Sequence, residues 1–380
     1  MRSVNSASTR IVAIRLAPWR HAIAALVCAL GLAGCSAIEF YWQGFAGQLD
    51  LLARARPIPE IADATADATL KAKLERVQTM RAFASRELAL PDNRSYTRYV
   101  DLGRPFVVWN VFATPELSLT ARQWCFPVAG CVAYRGYFSE ADARTEAAEL
   151  TAGGFDVHVG GVPAYSTLGY FDDPVLSTFI QYRDADLARL IFHELAHQIV
   201  YVKDDTAFNE SFAVAVEQEG LTRWLAAQAG RPGAEQFATD AARMKRLRAD
   251  FQRLVRATRD RLAALYASDA SDLEKRAGKA AAFVAMQSEY ERVKAGWGGA
   301  PVFDRWFADL NNASIVSAGL YADRVPQFAA LLAAEGGDLP RFYGRVKELA
   351  AMPKLERDAA LAAVGRAPAS EPVAAGPGQD

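Results

Sequence analysis

His193-Glu194-Leu195-Ala196-His197, two histidines four residues apart with a glutamate after the first, constrains this 380-residue chain more than any other stretch. Residues i and i+4 share one face of a helix, so both imidazoles can point at one place. Thirteen residues after His197 stands Glu210, inside N-E-S-F-A. A catalytic zinc takes about three protein ligands and keeps one position open for water, and two His with one Glu meet that need. Glu194, beside the metal face, can take a proton from water as it attacks a carbonyl. The flanks Leu190, Ile191, Phe192, Ile199 and Val200 predict a mostly buried helix, where two of the chain's four histidines need a reason to be. The pattern therefore predicts a zinc-dependent peptidase, with His193, His197 and Glu210 as ligands and Glu194 as general base. Glu217, seven residues beyond Glu210, shares its helix face and is the rival third ligand. Whichever carboxylate is not a ligand would orient a ligand imidazole or hold the substrate amine. Asn209 is placed to cap or orient the Glu210 helix.

The N-terminus carries a second signal. Residues 1–20 contain Arg2, Arg10, Arg15 and Arg20 and no acid, and an apolar run then ends in Leu32-Ala33-Gly34-Cys35. This is the basic and apolar order of a secretory signal, and the run is short for a membrane span. Leu32–Cys35 resembles a bacterial lipobox, in which the cysteine is acylated and becomes the first mature residue. Ser36 rather than Asp after it points to the outer membrane, with the protein facing the periplasm. Taking away the four arginines of residues 1–34 leaves 39 basic against 44 acidic residues, a net charge of −5. A weakly acidic surface argues against nucleic acid as a partner. Two further cysteines remain, Cys125 and Cys131 in C-F-P-V-A-G-C. In an oxidising compartment that spacing reads as a local disulfide across a turn.

Periodicity predicts helices over 40–55 and 66–88, separated by Pro57 and Pro59. A strand is predicted over 104–112, then a disulfide-pinned hairpin, then a helix from Ser139 to about Ala152, stopped at Gly153-Gly154. Phe155–Val162 alternates as a strand. The motif helix is expected over 184–202, a tight turn at 203–206, and the Glu210 helix over 207–228. Gly233 to Lys294 reads as an antiparallel helical hairpin, with more helix over 301–311 and 326–349. The Pro-, Ala- and Gly-rich stretch 367–380 reads as disordered. The expected class is α+β, a zincin-like single catalytic domain over 35–366 with a small sheet and a mainly helical C-terminal part.

These residues resemble the gluzincin peptidases, which pair H-E-x-x-H with a Glu on the following helix. Thermolysin-like enzymes and alanyl-type aminopeptidases place that Glu after an Asn, as Asn209-Glu210 stands here. The series W-C-F-P-V-A-G-C, Y-R-G-Y-F, A-Y-S-T-L-G-Y-F-D-D-P-V-L-S-T, H-E-L-A-H-Q and F-N-E-S-F-A resembles a bacterial family of predicted aminopeptidases, exported lipoproteins with one gluzincin domain. The likeness runs over about residues 35–360 and implies a peptide substrate. The His197-to-Glu210 gap is shorter than in the better-known gluzincins, and the G-A-M-E-N amine-binding motif of the alanyl aminopeptidases is absent, so an envelope endopeptidase or a non-catalytic envelope lipoprotein stays open beside an aminopeptidase. Gluzincins stabilise the tetrahedral oxyanion with a Tyr or His. Tyr201, Tyr321 and His158 are the candidates, and Tyr321, downstream of the ligands, is the choice. Ala164–Gly169, with Tyr165 and Ser166, is the candidate substrate cradle after the Phe155–Val162 strand. Asp172 and Asp173 are a further candidate for an ammonium site.

Overall fold

The computed structural model describes residues 40–126, 130–319 and 324–364. The chain divides into a unit ending at Leu49 and another running from Asp50 onward. Of the first, residues 40–49 are helical and begin α1, which covers residues 40–54. The leader, Cys35 and the tail over 367–380 lie outside the described residues.

The second unit is α+β. After β1 (Arg56–Pro57) the chain forms a short helix, α2 (Ile58–Ala64), where the sequence predicts only a break. Pro59 sits in its first turn, where the missing N–H has no helical acceptor to lose. Asp67 caps α3 (Ala68–Leu88), its carboxylate accepting from the N–H groups of Thr69 and Leu70 at 2.8 and 3.1 Å. Then come β2 (Arg98–Val100) and β3 (Val108–Pro115). β3 starts later than predicted because Arg104 turns back, its guanidinium donating to the carbonyls of Phe138 and Val107.

β4 (Trp124–Phe126) and β5 (Gly130–Val132) pair with Cys125 opposite Cys131, and a disulfide joins the two. The hairpin stops there, since β6 (Arg135–Tyr137) pairs with β3 instead. Ser139 caps α4 (Glu140–Ala152), accepting from the Asp142 N–H at 3.3 Å. β7 (Phe155–Val162) has the predicted bounds and runs antiparallel to β3 along its whole length, Val108 opposite Val162 and Pro115 opposite Phe155. The order β6-β3-β7 leaves β7 at an edge. β8 (Val175–Leu176) joins β2 in parallel, and β1 lies antiparallel on the other side of β2.

α5 (Ser177–Ile180) leads into α6 (Asp184–Ala196) and α7 (Thr206–Gln228), the two helices that carry the candidate ligands. They pack with α3 around Phe83, Phe192 and Trp224, whose rings touch at centroid distances of 6.1 and 5.0 Å. Full burial of side chains this large contributes roughly 2–3 kcal/mol each. Gly220 of α7 makes the approach possible. A Cβ there would lie 2.8 Å from both Leu88 Cδ1 and Phe192 Cδ2.

α8 (Ala234–Ala267) and α9 (Asp272–Gly296) form the predicted hairpin. They share a separate apolar cluster with α10 (Asp304–Phe307) and α11 (Asn312–Gly319), where Tyr290 stacks on Phe307 at 3.7 Å. α10 is a single turn in place of the helix predicted over 301–311. The helix predicted over 326–349 is two, α12 (Val325–Ala334) and α13 (Leu339–Ala351). Gly336 and Gly337, with φ of 68° and 76°, turn the chain between them. α14 (Lys354–Val364) follows and was not predicted.

Candidate metal centre

α6 brings His193 and Glu194 in its last turn, and His197 follows as its cap, still with helical backbone at φ −59° and ψ −21°. The two Nε2 atoms stand 3.2 Å apart. α7 supplies Glu210, with Oε2 3.4 Å from His193 Nε2 and Oε1 3.8 Å from His197 Nε2. One donor atom from each of the three lies within 4.8 Å of the others. Three donors each about 2.0–2.2 Å from one cation at tetrahedral angles would stand about 3.3–3.6 Å apart, and the spacings here straddle that range. Glu210 Oε2 and His197 Nδ1 are buried without a hydrogen-bond partner. A buried carboxylate oxygen left unsatisfied beside two imidazoles is costly unless a cation takes it. The residues fit a divalent metal ion.

Glu217 reaches the other side of His193, its Oε2 3.3 Å from Nδ1, and its second oxygen is ion-paired with Arg189, one turn earlier on α6. With Nδ1–H donating to Glu217, a neutral His193 keeps its lone pair on Nε2, the side of Glu210, and a cation there would displace the proton that the carboxylates otherwise hold. Burial would raise both carboxylates. Arg189 and His193 outweigh it at Glu217, and the two imidazoles outweigh it at Glu210, so both sit below the usual carboxylate range. Burial lowers His197 to about 4. Burial pulls His193 down as well, but Glu210 and Glu217 prevail and hold it well above an ordinary imidazole. Burial raises Glu194 to about 7, with His193 opposing, a range suited to moving protons near neutrality. A cleft of about 690 Å³ opens beside these groups, lined by His193, Glu194, Glu217, Arg189, Asp186 and Arg248. α8 walls it through ion pairs from Arg248 to Asp186 at 2.7 Å and from Arg183 to Asp240 at 2.8 Å.

α6 ends at Ala196 rather than running to Val202. The chain leaves the helix because its polar groups find partners elsewhere. Asn209 donates from Nδ2 to the Val202 carbonyl and accepts at Oδ1 from the Val202 N–H, both at 2.8 Å. The Gln198 side chain accepts from Asn93 at 2.7 Å and donates to Ser95 at 3.2 Å. Asp205 caps α7 through the Phe208 N–H at 3.2 Å, while its other oxygen accepts from Lys354 at 2.9 Å and Arg357 at 2.8 Å on α14. The disulfide hairpin rests on the same connection, the Cys131 N–H donating to the Asp204 carboxylate. Gly130, at φ 76°, is required there, since a Cβ would sit 2.2 Å from Asp204 Oδ1.

The other sequence candidates lie apart or in supporting places. Tyr321 is outside the described residues. His158 packs on Phe112 at 6.3 Å in β7, and burial lowers it. Tyr165 packs on Phe138 at 5.9 Å, and the Ser166 hydroxyl accepts from the Leu168 N–H at 3.1 Å. Neither lines the cleft. Asp173 is buried, accepting from the Thr167 N–H at 2.9 Å and hydroxyl at 2.8 Å, while Asp172 pairs with Arg94 at 3.4 Å. Tyr201 is 37 % exposed, raised by burial and then by Glu210. Sequence reasoning missed Arg189 and Tyr134. Arg189 was findable, one helical turn before His193. Tyr134 was not. It follows β5, packs on Phe112 at 5.6 Å, and is raised by burial, then by Glu210, Tyr201 and Glu194.

The fold and site thus describe an α+β protein with a His-His-Glu group able to hold a metal ion. Residues 39–361 match the model of the family described as "Putative aminopeptidase", and the chain belongs to that family. Membership implies a peptidase. No match was found among curated proteins, and none among solved structures.

Proposed function

We propose that this protein is a zinc metallopeptidase of the zincin type, an aminopeptidase held to the cell envelope by a lipid on Cys35. The observation that carries this reading is the meeting of His193 Nε2, His197 Nε2 and a partnerless Glu210 oxygen beside a cleft that Glu194 also lines. Two imidazoles and one carboxylate suit zinc. Bound there, zinc supplies Lewis-acid polarisation of a peptide carbonyl and acidifies water. Glu194 takes the proton of the attacking water and passes it to the leaving amine. Glu217, charged by its pairing with Arg189, holds the His193 ring in the tautomer that keeps Nε2 free. Tyr134 donates to the oxyanion as the carbonyl becomes tetrahedral, with Tyr321 the other candidate. An extended peptide pairs along the edge of β7 toward Val162, past Val157, whose carbonyl already accepts from Asn311, on the way to Ala164–Gly169. The leader over 1–34 is removed, and 35–366 is the catalytic domain facing the periplasm from the outer membrane.

Metal analysis of the purified chain tests this. About one zinc per chain is expected. His193→Ala and His197→Ala should lose it, and Glu194→Gln should keep it while losing turnover. Full zinc occupancy in the double His variant would sink the site.

A further inference from the structure

α1 carries an exposed apolar stripe. Tyr41, Trp42, Phe45 and Leu49 are 46, 66, 52 and 44 % exposed. At about 100° per residue they fall at about 0°, 100°, 40° and 80° around the helix, within one arc of about 100°. Residues 40–49, F-Y-W-Q-G-F-A-G-Q-L, contain no charge. Clustered exposed aromatics on one helix face mark a contact surface rather than scatter. Their chemistry narrows the partner. Trp and Tyr have an apolar body and a polar tip, which suits the boundary between lipid headgroups and acyl chains. Position narrows it further, since residue 40 is five residues beyond Cys35. Five extended residues reach at most about 18 Å, so a lipid on Cys35 would keep α1 at the bilayer surface. Among the described residues no helix is long and apolar enough to cross a membrane, so α1 would lie on the bilayer and not span it.

We propose that the Tyr41, Trp42, Phe45 and Leu49 face of α1 lies in the interface of the bilayer that carries the Cys35 anchor. This rests on the lipid-anchor reading given above. The stripe adds a second hold to the acyl chains and sets the orientation of the helix. Because residues 40–49 are uncharged, the contact needs no anionic lipid and resists salt.

Site-directed spin labelling of the full, processed chain in phosphatidylcholine vesicles tests the proposal. The native cysteines do not interfere, with Cys28 gone with the leader, Cys35 acylated, and Cys125 and Cys131 joined. Phe45→Cys and Leu49→Cys labels should be open to oxygen and closed to a water-soluble nickel complex, at low and high salt alike. An Asp50→Cys label, exposed and about 130° around the helix from the centre of the stripe, should show the reverse. Labels at 45 and 49 open to nickel would overturn the proposal. So would labels closed to both reagents with spin broadening that grows with protein density, which would mean a second copy on this face. A chain free of the vesicles would overturn it together with the anchor, and a missing acyl mass in the mass spectrum identifies that failure.

Discussion

Replacing Glu217 by Gln separates the roles of the two α7 carboxylates. The amide keeps the shape, and its oxygen can still accept from His193 Nδ1, now 3.3 Å from Glu217 Oε2. The negative charge is lost, which leaves the Arg189 guanidinium without its partner at a side-chain exposure of 16 %. Removing one member of a buried pair costs about 3–5 kcal/mol. Arg189 also lines the open cleft and can gain water there, so a cost nearer 2–3 kcal/mol is expected for Glu217→Gln. Loss of an outer carboxylate partner lowers metal affinity by about 10–100-fold, or roughly 1.4–2.7 kcal/mol. Glu210→Gln replaces a charged metal donor with a neutral amide oxygen and should cost zinc affinity far more while leaving Arg189 paired. Zinc titration of the metal-free variants by calorimetry, with urea unfolding of the same samples, reads both effects. Adding Arg189→Gln to Glu217→Gln should recover part of the stability, because no buried charge is then left alone. If Glu217→Gln lost more zinc affinity than Glu210→Gln, or the Arg189 substitution recovered nothing, the assignment of the two carboxylates would be wrong.

Three further outcomes follow. The side chains of Asp205 and Arg357 are 3 % and 4 % exposed, so Asp205→Asn should cost about 3 kcal/mol in urea unfolding, and a cost below about 1 kcal/mol would show that α14 does not hold the start of α7. Burial would raise Asp205, but Arg357 and Lys354 hold it below its free value. Its stabilisation is therefore complete above about pH 4 and lost as pH falls below that, so the gap between wild type and Asp205→Asn should close in acid. Reducing the Cys125–Cys131 bridge, a separation of six residues, should cost about 2 kcal/mol, and unchanged unfolding with reductant would count against it. Tyr134→Phe should lower kcat about 10²–10³-fold with zinc content intact, and an unchanged kcat would pass the oxyanion role to Tyr321.

The part of the site legible in the sequence is the part governed by local spacing. His193, Glu194 and His197 follow from a helical period of 3.6, and Glu210 and Glu217 follow from one face of the next helix. The end of α6 was not legible. Ile199, Val200 and Val202 continue the apolar pattern, while the forces that end the helix come from Asn209, Asn93 and Ser95. Periodicity does not register side-chain hydrogen bonds, and Asn93 and Ser95 lie 105 and 103 residues from Gln198. β2 and β8 were missed because strands of two or three residues have no period. β7 was placed correctly because five alternating residues, Phe155–Val159, in a run bounded by Gly153-Gly154 and Pro163 do. Tyr134 stayed hidden because C-V-A-Y-R-G-Y-F offers two tyrosines, and only the switch of β6 from the hairpin to β3 separates them. The α12–α13 break shows the opposite error, since Gly336-Gly337 was a visible stop signal that the helical composition around it outweighed.

The ligand helices are held by contacts that need no metal. Gly220 sets their closeness, Asp205 and Asn209 fix where α7 begins, and Glu217 fixes the His193 ring. Within the site, the fold leaves Glu210 Oε2 and His197 Nδ1 unsatisfied. A buried carboxylate kept for a cation draws only part of its worth from the imidazoles of the metal-free fold, so the larger part should appear when zinc is present. For the wild type, zinc at a hundredfold excess over Kd should add about 2.7 kcal/mol of stability by mass action. Glu210→Gln should cost the metal-free protein about 1–2 kcal/mol, for the lost pairing with His193, and abolish most of that zinc-dependent gain. Urea unfolding with chelator and with zinc separates the two. Should Glu210→Gln destabilise the chelated protein strongly, the carboxylate serves the packing of α6 on α7, and the metal reading loses its third ligand.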